Sequence, residues 1–142
     1  MRALLDINVL LALLDSDHID HGRARSWLED EIADGWASCP ITENGFVRVI
    51  SQPRYPKPIT PAEATTLLRR ATEQRHHQFW GCDFSLLDPS VLDQSRLHGP
   101  RQVTDVYLLA LATKHRGRFV TFDRSISLAA AKGATADNLV VV

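Results

Sequence analysis

The sequence lacks the residues that would staple it together, carry it across a membrane or cradle a nucleotide. Only two of its 142 residues are cysteine, Cys39 and Cys82. Neither belongs to a CxxC pair or to a Cys/His cluster with zinc spacing, so neither a disulfide framework nor a structural zinc site organises the chain. Two buried thiols in a reducing cytosol are expected instead. No stretch approaches the ~20 apolar residues of a membrane span. Arg2 followed by Ala3 to Leu14 has the outline of a secretory leader, but Asp6 and Asn8 interrupt it and no small-residue cleavage site follows. A cytoplasmic protein without membrane association is expected. Neither common phosphate-binding glycine loop is present, which argues against nucleoside triphosphates. The GxSxG elbow is missing too, which argues against an α/β-hydrolase. Charge of neither sign dominates: 16 Lys+Arg stand against 17 Asp+Glu, a formal net charge of -1. That balance excludes a strongly basic nucleic-acid coat, although it does not exclude an enzyme that engages nucleic acid locally. Lysine is scarce, 3 residues against 13 arginines. The guanidinium fork suits phosphate, and a GC-rich genome would produce the same bias.

What is present is an ordinary globular composition, 44% hydrophobic and 23% charged. The length fits one domain spanning residues 1–142. A chain of that size buries roughly two thirds of its unfolded surface and needs no staple.

Strand and helix patterns alternate along the chain. Arg2 to Leu5 is a short apolar strand ending at Asp6, followed by a helical segment from Val9 to Leu14 and a polar turn over Asp15–Asp20. From His21 the apolar spacing is helical (Ala24, Trp27, Leu28, Ile32), closed by Gly35. Trp36–Cys39 is a second strand ended by Pro40, and Thr42–Ile50 a helix with Phe46, Val47 and Ile50 on one side. Pro53, Pro56 and Pro58 make Ser51–Ile59 an extended loop. Thr60-Pro61-Ala62-Glu63 is a capped helix start, with the helix running to about Arg75. A third strand over Phe79–Cys82, a short helix from Asp88-Pro89 to about Leu97, and a loop over His98–Gln102 follow. Thr104 is expected to cap a helix over Asp105–His115 closed by Gly117. Then come a strand over Phe119–Phe122, a short helix over Ser125–Lys132 and a last strand over Leu139–Val142. Short, continuous apolar strands separated by helices predict an α/β fold, with a parallel sheet covered on both faces.

Four acids sit where acids are unexpected. Asp6 lies between Leu5 and Ile7 at the end of the first strand, Glu43 lies just past the second, and Asp123 follows Phe119-Val120-Thr121-Phe122. Asp105 heads an otherwise apolar helix. In an open parallel sheet these places share one edge, the edge at which ligands bind. Each acid alone is explained as a helix cap or as a partner of a helix dipole. Four carboxylates in one crevice would repel, and a hard divalent cation would relieve the repulsion. Oxygen-only ligands suit metal-assisted hydrolysis of a phosphodiester.

Four strings carry a resemblance: Leu4-Leu5-Asp6-Ile7-Asn8-Val9-Leu10, Thr42-Glu43-Asn44-Gly45-Phe46-Val47-Arg48, Thr104-Asp105 before Leu108-Leu109-Ala110-Leu111-Ala112, and Val120-Thr121-Phe122-Asp123-Arg124. In this order, over nearly the whole chain, they resemble the PIN-domain ribonucleases, and more narrowly the VapC-type toxins of toxin–antitoxin pairs. The resemblance implies a three-layer α/β/α fold with a short, mostly parallel central sheet and the acids at its C-terminal edge. It implies Mg²⁺- or Mn²⁺-dependent endoribonuclease activity and a homodimer held inactive by a small cognate antitoxin. It implies that Asp6 and Asp105 bind the principal metal most directly, that Glu43 helps hold it or orients the attacking water, and that Asp123 completes the site or a second one. Asn8 and Thr104 would orient the carboxylates. Many relatives carry another acid where this chain has Ser125, so a permanently occupied second metal site is not implied.

Arg48 and Arg124 flank these motifs and are candidates for holding RNA phosphates; Arg54 and Lys57 in the proline loop could do the same, although surface solvation accounts for them equally. His76 and His77, adjacent on an extended stretch, point to opposite sides and make poor joint ligands. Trp80 is expected in the core beside Phe79. Two rival functions remain open: an aspartate-based phosphatase, for which Asn8 is the wrong residue because it cannot act as a general acid, and a non-catalytic PIN-like binding module.

Overall fold

The structure is a computed structural model describing all 142 residues. Five short strands, β1 (Ala3–Leu5), β2 (Trp36–Ser38), β3 (His77–Phe79), β4 (Arg118–Thr121) and β5 (Leu139–Val141), form one sheet. Its order is β3-β2-β1-β4-β5 and every pairing is parallel. The helices are α1 (Ile7–Leu14), α2 (His21–Glu31), α3 (Pro40–Ile50), α4 (Pro61–Thr72) and α5 (Gln102–Lys114).

Side-chain alternation along the strands explains the three layers. Leu4, Ala37 and Phe119 face α5. Ala3, Leu5, Trp36 and Val120 face the opposite way, onto Val9 and Leu10 of α1, Phe46 and Ile50 of α3, and Ala64 and Leu68 of α4. Helix α5 is buried over seven consecutive residues, Val106–Ala112. A helix that is apolar all round must be covered on its outer side as well, and here Leu92, Ala130 and Ala131 close over it.

β1 lies at the centre. The chain steps outward from it to β2 and β3, then crosses to the other side for β4 and β5. Strand order therefore reverses between β1 and β4, and the crevice at their C-terminal ends is the place where such sheets bind ligands. The Asp6 amide extends the ladder by donating to the Val120 carbonyl (2.9 Å), so residues just past both strands are held side by side.

Several elements differ from the sequence-based expectation. The third strand is His77–Phe79, not Phe79–Cys82. It is an edge strand with a half-exposed, polar sequence, so the apolar-run criterion missed it. Trp80 is buried as expected, but stacked on His115 with ring centroids 4.2 Å apart, while Phe79 faces solvent. The helix expected over Asp88–Leu97 is a series of turns with one 3-10 turn at Gln94–Arg96. Asp88 and Asp93 accept from the amides of Ser90 (2.9 Å) and Ser95 (3.1 Å), local bonds that compete with helix. Ser125–Lys132 also contains only a 3-10 turn, Leu128–Ala130, because its backbone bonds outward: the Asp93 amide donates to Ala130 and the Lys132 amide to Val91, both at 2.9 Å. α3 starts at Pro40 with Cys39 as its cap, and α5 starts at Gln102, which puts Thr104 inside the first turn rather than at the cap.

The entry to β4 is a close approach that only glycine permits. A Cβ on Gly117 would stand 2.6 Å from the Arg2 carbonyl oxygen and 2.7 Å from the Trp80 ring. Neither neighbour is the free end of a flexible chain. Gly117→Ala should therefore destabilise the protein by about 1–3 kcal/mol in urea denaturation; an unchanged midpoint would show that this junction yields.

Candidate active site

Asp6 is fixed first by its position and then by its partners. It caps α1, accepting from the Ile7 amide at 2.7 Å, so the capping role is real. Its other oxygen, Oδ2, accepts a 2.6 Å hydrogen bond from the Thr121 hydroxyl at the end of β4. Thr121 is fully buried and Asp6 is only 6% exposed. Burial raises the Asp6 pKa; the bonds from Thr121 and Ile7 work against that rise, and the charge of Asp123 adds to it.

Thr121 is the hub. Its Oγ1 also accepts from the Asn8 side-chain amide (3.3 Å) and from the Asp123 backbone amide (3.1 Å). The Asn8 carbonyl oxygen in turn receives the Phe122 amide at 3.4 Å. Asn8 thus ties β4 to α1 and reaches Asp6 only through Thr121. Thr121 was not singled out from the sequence, where one threonine in an apolar strand carries little signal; a polar residue on the buried end of a strand two positions before an acid is the clue that was available.

Asp105 stands on the first turn of α5 across the crevice. Its pKa is raised from the usual 3.8 to about 6, mainly by burial and then by the charges of Asp6 and Asp123. Asp123 behaves oppositely. Ser125 donates to its Oδ1 from both its hydroxyl (2.6 Å) and its amide (2.7 Å), and these bonds hold its pKa below the usual value. Ser125 therefore favours the ionised form of its neighbour.

These three acids interact, yet none of them forms an ion pair: the basic side chains pair with Asp17, Asp20, Glu29, Glu31, Asp34, Asp83 and Asp93 instead. Their chemistry fits a hard divalent cation, since every donor is an oxygen and the mutual repulsion is uncompensated by protein cations. In this arrangement they meet through their fields and do not close around one point. Asp6 and Asp105 line an open depression of about 540 Å³, with Ile7, Pro40, Asn44, Arg48 and Thr104 among its other walls.

Glu43 is not brought into that depression. It sits on the first turn of α3 and accepts a 3.0 Å hydrogen bond from the Ser38 hydroxyl, lining a neighbouring hollow with Asn44, Thr65 and Arg69. Thr104 is exposed at the rim, where it contacts no carboxylate by hydrogen bond. Arg48 is an exposed wall of the acidic depression; Arg124 is exposed beside Asp123 and lies outside it.

Comparison with known proteins identifies the family. The family model described as the PIN domain matches residues 3–132. Ribonuclease VapC44 of Mycobacterium tuberculosis is 67% identical over 139 residues, covering 98% of each chain. Ribonuclease VapC39 of the same organism is 40% identical over 94% of this chain and 96% of its own. The structure also superposes, at a TM-score of 0.62 and 10% identity, on a chain from the crystal structure of VapBC2 from Rickettsia felis bound to a promoter DNA fragment, covering 100% of this chain and 98% of that one; at that identity the match speaks for the fold alone. The chain belongs to the PIN-domain family, within its VapC ribonucleases.

A raised carboxylate pKa has a consequence for stability. The folded protein binds the Asp105 proton more tightly than the unfolded chain, so ionising Asp105 costs the fold. Stability without a divalent cation should fall as pH rises from 3.8 to about 6, and Asp105→Asn should flatten that slope. Urea denaturation across this pH range checks it; an unchanged slope in the variant would exclude Asp105 as the source.

Proposed function

We propose that this protein is the toxin of a toxin–antitoxin pair, a cytoplasmic endoribonuclease whose single domain hydrolyses RNA phosphodiester bonds with Mg²⁺ or Mn²⁺ held by Asp6, Asp105 and Asp123. The observation that supports it most is the trio of mutually repelling carboxylates, free of any basic partner, at the strand-order reversal of a VapC-type fold. When bound, the cation supplies the positive charge that acidifies an attacking water and offsets negative charge on the cleaved phosphate.

The side chains prepare that chemistry. Thr121 and the Ile7 amide hold Asp6 by both oxygens, so its orientation is set before anything binds. Ser125 keeps Asp123 ionised, while Asp105, its pKa raised to about 6, takes up a proton more readily than an ordinary carboxylate. Arg48, on the wall of the same depression, offers forked contact to a substrate phosphate, and Arg124 lies close enough to Asp123 in sequence to extend that contact along the RNA. Glu43, in the neighbouring hollow, is assigned the attacking water by the VapC-type resemblance, and its carboxylate has one oxygen without a protein hydrogen bond.

A protein partner fits a different surface. Leu10, Leu13, Leu14, Leu28 and Ile32 line an open groove of about 440 Å³ between α1 and α2, apolar enough to seat a segment of a small antitoxin. The homodimer is proposed with it, as the VapC-type resemblance implies. The phosphatase alternative gains nothing, because both ends of the Asn8 amide are engaged in holding β4.

Asp6→Asn and Asp105→Asn should each reduce RNA cleavage at least about a hundredfold while circular dichroism and thermal melting show a folded protein. Cleavage by the unaltered protein should require Mg²⁺ or Mn²⁺; full activity in excess chelator would overturn the mechanism.

A further inference from the structure

The hydrogen bond on Glu43 is one link of a longer chain. Ser38, fully buried at the end of β2, lies 3.0 Å from Glu43 Oε1 and 2.8 Å from His77 Nε2. The register of β2 and β3 explains the second contact. His77 pairs opposite Trp36, its ring packs against the Trp36 indole at 4.5 Å between centroids, and from there it reaches the next residue on that face of β2, which is Ser38.

A serine hydroxyl carries one proton, and a carboxylate oxygen only accepts. Ser38 must therefore give its proton to Glu43, and His77 must then present Nε2–H to Ser38. The geometry points to His77 and Ser38 as positioning residues that orient the Glu43 carboxylate for RNA cleavage, a role that rests on the nuclease function proposed above. The chain anchors Oε1 and leaves Oε2 without a protein hydrogen bond.

The ring's surroundings make this a choice with an alternative. Burial pushes the His77 pKa below the ordinary value; the Thr72 backbone, which also faces the imidazole, works against that by favouring a proton on it, and the charge of Arg2 adds weakly to the lowering. In a neutral ring the single proton goes to one nitrogen. On Nε2 it completes the chain to Glu43; on Nδ1 it would turn the Ser38 hydroxyl toward His77 and leave Glu43 unanchored. Only the first arrangement places a proton in both the 3.0 Å contact to Glu43 and the 2.8 Å contact to His77, and it is the one proposed.

The test combines spectroscopy with two substitutions. Long-range ¹H–¹⁵N correlation of imidazole-labelled, metal-free protein should show His77 as the Nε2–H tautomer. Glutamine places an N–H donor near the position of Nε2, whereas leucine has none. His77→Leu should lower kcat about tenfold with KM for RNA unchanged, and His77→Gln should recover to within about twofold, with equal melting temperatures. A His77 that carries its proton on Nδ1, or leucine and glutamine variants with equal kcat, would overturn the proposal. The tautomer is read on unaltered protein, so it remains decisive if a variant does not fold. Absence of metal-dependent cleavage by the unaltered protein would instead overturn the nuclease function, whereas full activity in His77→Leu beside an active parent would overturn only the positioning role.

Discussion

A carboxylate buried at the centre of a parallel sheet is an expensive thing to build, and the rest of this site follows from how that expense is met. Asp6 ends the central strand, where it is almost completely removed from water. A charge there survives only with strong donors on both oxygens. The start of α1 provides one and Thr121 the other. Because Thr121 belongs to β4, the bond that satisfies Asp6 also locks together the two strands between which the strand order reverses. The orientation of the Asp6 carboxylate and the junction of β1 with β4 thus share one short contact.

Around that contact the acids are deliberately unequal. Asp123 is kept ionised by Ser125, Asp105 is pushed towards protonation, and Asp6 lies between, opposed by burial and supported by donors. Placing the three together without a lysine or arginine partner keeps the repulsion unresolved inside the protein, a state that favours capture of a cation from outside. Glu43 stands apart from this group, bonded to Ser38 and lining a neighbouring hollow. The site is therefore a trio with a separately anchored fourth acid rather than four equivalent ligands.

The layers that carry the site show why some elements were legible and others were not. β1, β2 and β4 are buried on both faces, so hydrophobicity alone exposes them in the sequence, and α4 announces itself through Thr60-Pro61, where Thr60 does accept from Glu63 at 3.1 Å. β3 is an edge strand whose outer residues face water, so its pattern lacks the apolar run. The Asp88–Leu97 and Ser125–Lys132 segments contain helix-compatible residues, but Asp and Ser side chains close local turns, and the two segments bond to each other at Leu92 and Ala131. That pairing joins residues about forty positions apart and lies beyond any local window.

The sequence by itself determined the alternation of strands and helices, the choice of acids and their placement after strands, because these depend on local periodicity and on residue chemistry that each position carries alone. It also contained the four strings that resemble the VapC-type ribonucleases. Only the tertiary structure decided which acids meet. Asp6, Asp105 and Asp123 come together because β1, β4 and α5 are neighbours in the sheet and its covering layer, whereas Glu43 bonds to Ser38 and lines a neighbouring hollow. Thr121 and His77 acquire their roles in the same way. A hydroxyl or an imidazole is ordinary in sequence, and what makes it a hub or an anchor is a hydrogen-bond partner that folding delivers from 115 residues away in one case and 39 in the other.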